Sequence, residues 1–162
     1  MSALRTEIIR GLIFRTHNFV ALNSLHALYP VDAYNNARRS NHPYGRVGGK
    51  VSYTSSNGAK LGKCQVSGYA GTCWELPNSL KGDLARTYFY MSTAYLGLWD
   101  CCDTAATSKW NLKPWQQALL KQWHHLDPVS KREMTRNQLI FEHYQHNRNP
   151  FIDHPEWVDL IF

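Results

Sequence analysis

Side chains that suit a metal ion and a phosphate are concentrated in residues 24–45, SLHALYPVDAYNNARRSNHPYG. They are His26, Asn35, Asn36, Arg38 and Arg39. Side-chain carbonyl oxygens such as those of asparagine suit Mg²⁺ and Ca²⁺, and the planar fork of arginine suits phosphate. Pro30 can open a helix that runs to about Arg39. A histidine on a strand or loop would therefore be followed by a helix that carries asparagine and arginine.

That layout is the one found in ββα-metal nucleases, and three segments of the chain resemble one family of them. The first is the LHALYP, NARRSN and HPYG series within residues 24–45. The second is WELPNSLKGDLARTYFYM at Trp74–Met91, and the third is RNQLIFEHYQHNRNPFIDHPEW at Arg136–Trp157. In this order they resemble the bacterial endonuclease I (extracellular nuclease) family over roughly residues 24–162.

The resemblance implies a Mg²⁺-dependent endonuclease that hydrolyses DNA, and RNA as a second substrate, with little sequence preference. Ca²⁺ and Mn²⁺ are the alternative metals. Asn36 takes the place of the family's asparagine metal ligand, and Arg39 matches the arginine of its RSN motif. Family members are typically secreted or periplasmic. The expected partner is nucleic acid, with no membrane, and the expected state is a monomer.

The catalytic base is harder to place. The family carries adjacent glutamate and histidine in an EHxWP-like motif, in which the histidine is the base, and no such motif precedes Ser24. The nearest candidate is His17, with Thr16 where the glutamate would stand. Residues 1–23 are accordingly interpreted as an atypical or truncated N-terminal part. The alternatives are a weakly active nuclease, a nuclease-like protein that binds nucleic acid without cleaving it, and a truncated product that folds poorly.

Four further positions carry open interpretations. His26, which matches the histidine of the family's LHxL segment, is either a second catalytic candidate or a core histidine. Arg86, in KGDLAR, is either a nucleic-acid ligand at a helix start or the partner of Asp83 or Glu75. Arg38 and Arg39 are predicted to share one exposed basic surface.

Two other groups of residues are predicted to have no catalytic role. His124 and His125 are interpreted as ordinary polar helix positions, because neighbouring residues of a helix point in different directions. Residues 147–156, NRNPFIDHPE, are interpreted as turns and caps.

Composition fits this picture without proving it. The 162 residues carry a formal net charge of +6, and the pI is about 9.2. A basic protein favours an anionic partner such as nucleic acid, although ordinary basic proteins share this charge. Met1–Asn23 does not read as a signal peptide. The four cysteines form no CxxC pair, and Cys64 and Cys73 are either bridged or free.

The patterns predict one α+β domain over residues 1–162. Strands are expected near residues 51–53, 60–66 and 72–76, with a turn at Asn57–Gly58 and a loop over 41–49. Helices are expected over 79–99, over 114–126 and from a cap at 127–128 to about 145, followed by a short last helix. In the third of these helices the buried residues are expected to be Met134, Leu139, Ile140 and Phe141. Ahead of them, residues 1–22 suggest a helix and then a strand.

Overall fold

The computed structural model describes residues 24–95, 103–109 and 111–162, and these form a mixed α and β structure, which confirms the α+β prediction. The strands are β1 (Val47–Thr54), β2 (Lys60–Cys64), β3 (Thr72–Glu75), β4 (Thr107–Ser108) and β5 (Asn111–Leu112). The first three form an antiparallel sheet in the order β1-β2-β3, and the last two form a separate hairpin. The helix and strand predicted before residue 23 lie outside the described residues.

Six α-helices belong to the described part of the chain. They are α1 (Ala33–Arg39), α2 (Lys81–Ala94), α3 (Pro114–Leu126), α4 (Lys131–His143), α5 (Pro150–Asp153) and α6 (Trp157–Ile161). Short 3₁₀ turns cover Leu25–Ala27 and Asn78–Leu80. The predicted bounds of α3 are confirmed, whereas α2 ends at Ala94, ahead of the predicted 99. The predicted short last helix is confirmed as α6, and α5 is an additional short helix among residues that were predicted to be turns and caps.

The turn between β1 and β2 is the one that Asn-Gly predicts. Gly58 has a φ of +87°, which favours glycine, and the Asn57 side chain accepts hydrogen bonds from Ser55 Oγ and Ala59 N. The loop predicted over residues 41–49 was wrong at its end, because β1 already begins at Val47. The pairing of β1 with β2 is irregular there, with register shifts between Val47 and Tyr53.

Helix α2 lies at the centre of the core. Leu84, Ala85 and Phe89 are buried on it, and they pack with Leu120 and Trp123 of α3 in one hydrophobic cluster. A Cβ at Gly82 would stand 1.9 Å from the carbonyl oxygen of Asp127, so glycine is required for the close approach of α2 to the end of α3.

Helix α4 corrects two predictions. It begins after Ser130, whose side chain forms a capping box with Glu133, and not after Asp127. Of the four apolar residues expected to be buried only Ile140 is, while Met134, Leu139 and Phe141 are exposed. The inward face is instead Glu133, Asn137 and Ile140, which recur at helical spacing. Two of these three are polar because their partners across the interface are polar.

The partner of Glu133 is Arg86, which is fully buried on α2. Arg86 Nε and Nη2 each donate to one carboxylate oxygen of Glu133 at 2.7 Å. Arg86 Nη1 donates to the carbonyl oxygen of Asp127 at 2.9 Å and lies 3.3 Å from His124 Nδ1. One guanidinium therefore connects α2, the end of α3 and the start of α4.

Residues 147–153 close the other end of this interface. Asn149 N donates to Asn137 Oδ1 at 2.8 Å, and Asn149 Nδ2 donates to the carbonyl oxygen of Arg86 at 3.1 Å. Arg148 binds Asp153 through both Nε and Nη2, at 2.6 and 2.7 Å. This agrees with the prediction that the segment has a turn and cap role.

Two further findings concern cysteines and membranes. Cys64 and Cys73 are buried free thiols, so of the two open alternatives the structure has the unbridged one. Within the described ranges, no helix has both the length and the apolar character needed to span a bilayer.

We expect Glu133→Gln to lower the free energy of unfolding by about 3–5 kcal/mol, since it removes the bidentate carboxylate of the buried Arg86 and leaves the more distant Asp83, at 3.5 Å, as its counter-charge. Urea denaturation at neutral pH measures this loss. The control is Asp159→Asn, which removes the partner of Lys121 in a partly exposed ion pair, for which the expected change is at most about 1 kcal/mol. Equal effects of the two variants would contradict the prediction.

Candidate active site

Helix α1 carries the predicted metal ligand, and its start and its link to the sheet are well defined. Asp32 caps it by accepting a hydrogen bond from Asn35 N at 2.9 Å. After the helix, Trp74 N donates to the carbonyl oxygen of Pro43 at 2.9 Å, and Gly45 N donates to that of Trp74 at 3.0 Å. The segment that follows α1 therefore continues the sheet beside β3.

A groove of about 940 Å³ lies beside α1. Polar side chains from three places in the chain line one part of it: Asp32, Asn35, Asn36, Arg39, Asn57 and Asp83. Apolar side chains of the sheet and of α2 line the rest: Tyr44, Trp74, Leu76, Leu84, Tyr88 and Met91. Arg132 also lines the groove, which thus combines oxygen ligands and two cations with a largely apolar surface.

The two adjacent asparagines of α1 have different roles. Asn35 Oδ1 accepts a hydrogen bond from the Tyr53 hydroxyl at 2.9 Å, which ties α1 to β1. Asn36 is exposed, and its side-chain amide makes no hydrogen bond to the described residues. Its oxygen is free to bind a cation, as expected of a metal ligand.

The predicted magnesium site can be compared with the oxygen ligands that the described residues offer. Mg²⁺ usually binds one or two carboxylates and keeps several waters, and Asn36 supplies one neutral oxygen. The nearest carboxylate along the chain, Asp32, already caps α1. No group of three His, Cys, Asp or Glu side chains that could hold a metal occurs within the described ranges. Asn36 therefore fits as one oxygen ligand of such an ion.

The two arginines of α1 face different partners. Arg39 lines the groove, where its guanidinium carbon lies 5.2 Å from the ring centre of Tyr44. Arg38 lies 5.0 Å from the ring centre of Tyr34 and 5.4 Å from that of Tyr53. Neither arginine forms an ion pair with a carboxylate of the described residues. Arg38 and Arg39 thus contact different aromatic rings, and the single basic surface expected for them stays a prediction.

His26 is a core histidine in this structure, with 1% of its surface exposed. Its Nε2 lies 3.2 Å from Asn147 Oδ1, and Asn147 Nδ2 donates to the Tyr90 hydroxyl at 3.1 Å. Burial lowers the pKa of His26 to about 4, against the opposing effect of the hydrogen bonds to Asn147. Of its two open interpretations, the structure agrees with the structural one, because a buried imidazole does not reach substrate.

Arg86 and His124 also require correction. The nucleic-acid role predicted for Arg86 disagrees with its complete burial. The alternative ion pair with Asp83 is confirmed at 3.5 Å, but the closer partner at 2.7 Å is Glu133. Glu75 pairs instead with Lys81 at 2.7 Å. His124 is not an ordinary polar surface position but is buried against Arg86.

The Asp83 carboxyl in the groove has a strongly raised pKa. Its pKa is raised to about 7, first by burial and then by the negative charge of Glu133. Glu133 contributes because both carboxylates lie beside the guanidinium of Arg86, whose positive charge lowers the pKa of Asp83 only in part. Ion-pair networks of this kind perturb pKa values without catalysis, so the shift does not by itself identify a catalytic group.

No described histidine lines the groove. His17, the predicted base, lies outside the described residues and stays a prediction. The residues that the sequence analysis missed are Tyr34 and Tyr53. The sequence gives only a weak signal for them. A tyrosine one turn before Arg38 is an ordinary helix residue until the structure places Tyr53, on β1, beside it.

Comparisons with known proteins agree on one relationship. The model of the family described as Endonuclease I matches residues 12–156. An extracellular ribonuclease of Bacillus subtilis is 38% identical over 142 residues, which is 85% of this chain and 46% of that protein. One from Bacillus amyloliquefaciens is 37% identical with the same coverage.

A more distant relative is an Endonuclease-1 of Buchnera aphidicola, 29% identical over 131 residues, with 80% of this chain and 44% of that protein covered. The chain thus spans about half the length of the curated relatives it matches. No solved structure matches it significantly.

We expect His26 to contribute stability that is lost as the pH drops from about 6.5 towards 4. Within this window the unfolded state protonates His26, while the folded state, with its lowered pKa, does not. The His26 contribution should change by up to about 1.4 kcal/mol per pH unit, and it opposes that of Asp83, whose raised pKa favours the folded state at acid pH. His26→Gln should remove this part of the pH dependence in urea melts, whereas the exposed His143→Gln should keep it. An unchanged slope in His26→Gln would contradict the assignment.

Proposed function

Since the chain belongs to the endonuclease I family, we propose that the groove beside α1 is the site of a Mg²⁺-dependent nuclease. It would hydrolyse phosphodiester bonds of DNA and RNA with little sequence preference. The observation that carries the proposal is the pairing of Asn36, whose amide is uncommitted, with Arg39 in one groove. They stand one turn apart on α1, where side chains are neighbours.

Each of the proposed site residues would have a separate role in catalysis. Asn36 would hold the metal through its amide oxygen, and the bound ion would stabilise charge that develops on the scissile phosphate. Arg39 would bind a phosphate oxygen, because its guanidinium is not neutralised by a described carboxylate. Tyr44 supports that guanidinium from one side at 5.2 Å. His17 is proposed as the base that activates water.

Substrate and location rest on the relatives. The two Bacillus relatives are named extracellular ribonucleases, and the more distant one is named Endonuclease-1. These names support RNA and DNA as substrates to be tested, and they support secretion. Ca²⁺ and Mn²⁺ remain the alternative metals, and a monomer remains the proposed state.

A second candidate function is nucleic-acid binding without cleavage. It is favoured by the absence of any histidine among the described groove residues. Incubation of the purified chain with plasmid DNA and with single-stranded RNA separates the two functions. Degradation in Mg²⁺ that stops in EDTA supports the nuclease. Binding without degradation supports the alternative.

Asn36→Ala should abolish most of any cleavage, because it deletes an oxygen that binds the cation directly. Asn36→Asp should keep cleavage, because a carboxylate oxygen remains. Isothermal titration with Mg²⁺ should show weaker binding only for Asn36→Ala. This experiment measures metal binding separately from cleavage activity. The control is Gln122→Ala, an exposed amide on α3. If Asn36→Ala cleaves and binds Mg²⁺ as the unmodified chain does, Asn36 is not the ligand.

The same assay tests the base. His17→Ala should lower the rate by about 10²- to 10⁴-fold, the usual contribution of a general base. His143→Ala is a suitable control because it is exposed at the end of α4, whereas His124 is unsuitable because its imidazole packs against Arg86. Full activity in His17→Ala would show that another group is the base.

Binding should weaken steeply with salt. In EDTA, affinity for duplex DNA should fall linearly with salt on logarithmic axes. Arg39→Ala should reduce that slope by about 1, as expected for one lost phosphate contact. Lys131→Ala, on α4, is the control for general loss of charge. Affinity that does not change between low and moderate salt would rule out a nucleic-acid site here.

A further inference from the structure

We propose that Tyr34, Arg38 and Tyr53 form a platform on which one unpaired nucleobase stacks, so that a single strand is the preferred ligand. The proposal rests on the proposed function, because it assumes that the groove on the other side of α1 takes the sugar–phosphate chain. It concerns these three side chains, called the stacking platform below.

The stacking platform is the outer end of a column of aromatic rings. Tyr34 packs edge-on against Tyr53 at 5.9 Å, and Tyr53 stacks on Trp74 at 6.1 Å with an interplanar angle of 27°. The column runs from the buried Trp74, 4% exposed, to Tyr34, 55% exposed. It is rigid because the Tyr53 hydroxyl donates to Asn35. A rigid aromatic ring open to solvent is the surface that a base stacks on.

Arg38 completes the stacking platform. Its Nε and Nη2 donate to the Tyr34 hydroxyl at 3.1 and 2.6 Å, and its guanidinium lies near both tyrosine rings. These bonds hold the guanidinium plane in place while its charge stays unpaired with any described carboxylate. A fixed arginine plane next to an aromatic ring offers both stacking and attraction to an anionic strand.

The position of the stacking platform relative to the groove favours one continuous strand as the ligand of both. Tyr34 and Asn36 are two residues apart on α1, which places them on opposite sides of the helix. The helix with its side chains is about 10–12 Å across. Neighbouring nucleotides of one strand can therefore reach from Asn36 and Arg39 to the stacking platform.

The preference for an unpaired base follows from access. Inside a duplex both faces of each base are covered by its neighbours, so a protein ring reaches a base face only when the base leaves the stack. A single strand exposes these faces at little cost. A duplex would contact the groove through its phosphates alone.

The test measures binding to the full chain in EDTA, so that cleavage does not contribute. The probes are a fluorescein-labelled oligothymidylate, an oligomer of the same length built from abasic sugars, and a duplex of the same length. We expect the unmodified chain to bind oligothymidylate more tightly than the abasic oligomer. Tyr34→Ala should weaken binding of oligothymidylate by about 5- to 100-fold, the range for loss of one stacked base, and should leave the abasic oligomer unaffected.

Two further variants are matched controls for the loss of the Tyr34 ring. Tyr34→Phe keeps the ring and should bind nearly as the unmodified chain does. Tyr144→Ala removes another exposed tyrosine, 68% exposed, and should have no effect. The proposal is overturned if Tyr34→Ala binds oligothymidylate normally. It is also overturned if Tyr34→Ala loses as much affinity for the abasic oligomer and the duplex as for oligothymidylate. Equal affinity of the unmodified chain for oligothymidylate and the abasic oligomer overturns it without any variant.

Failure of this proposal and failure of the proposed function give different results. If the unmodified chain cleaves in Mg²⁺ and Tyr34→Ala binds oligothymidylate normally, the nuclease function is supported and the stacking platform is rejected. If Tyr34→Ala loses base-dependent binding and the unmodified chain shows no cleavage in Mg²⁺, the stacking platform is supported and the nuclease function is rejected.

Discussion

The buried charge of Arg86 is the constraint on which the helical half of the structure depends. A guanidinium taken out of water is tolerated only when its hydrogen bonds are satisfied. Arg86 meets this condition with a bidentate bond to Glu133 and a bond to the carbonyl oxygen of Asp127. This requirement explains why the inward face of α4 is polar, and why Gly82 allows the close approach of the chain at Asp127. Arg86, like the core phenylalanines around it, is therefore part of the packing.

The polar C-terminal segment extends this constraint towards the candidate site. Asn147 contacts both His26 and Tyr90, which fixes residues 25–27 against α2. Arg136 Nη2 donates to the carbonyl oxygens of Leu25 and Leu28, the latter at 2.8 Å. The chain then enters α1 within a few residues. The residues that hold the segment before α1 in place are thus far from it in sequence. Arg136 acts through backbone carbonyls, and Asn147 acts through the His26 ring and the Tyr90 hydroxyl.

The parts of this structure that the sequence predicts well are those that local interactions decide. The Asn57–Gly58 turn and the bounds of α3 follow from residue types within a few positions. The burial of His26 and Arg86 does not, because their partners Asn147 and Glu133 are 121 and 47 residues away. The same limit explains the error on α4, where apolar residues such as Met134 and Phe141 suggest a core face that its polar partners exclude. For the site, the motif indicates Asn36 and Arg39, whereas the contact of Arg38 with Tyr53 required the position of β1.

Helix α1 has seven residues and buries none of them. An isolated helix of this length does not form in water, because nucleation costs more than so few hydrogen bonds return. Its geometry therefore depends on the Asp32 cap, on the bond from Tyr53 to Asn35, and on the backbone bonds that join Pro43 and Gly45 to β3. Because Tyr53 also stacks on Trp74, the position of Asn36 is set from the sheet. One face of this small helix can thus hold groove ligands while the opposite face rests on the aromatic column, and neither face needs a hydrophobic core of its own.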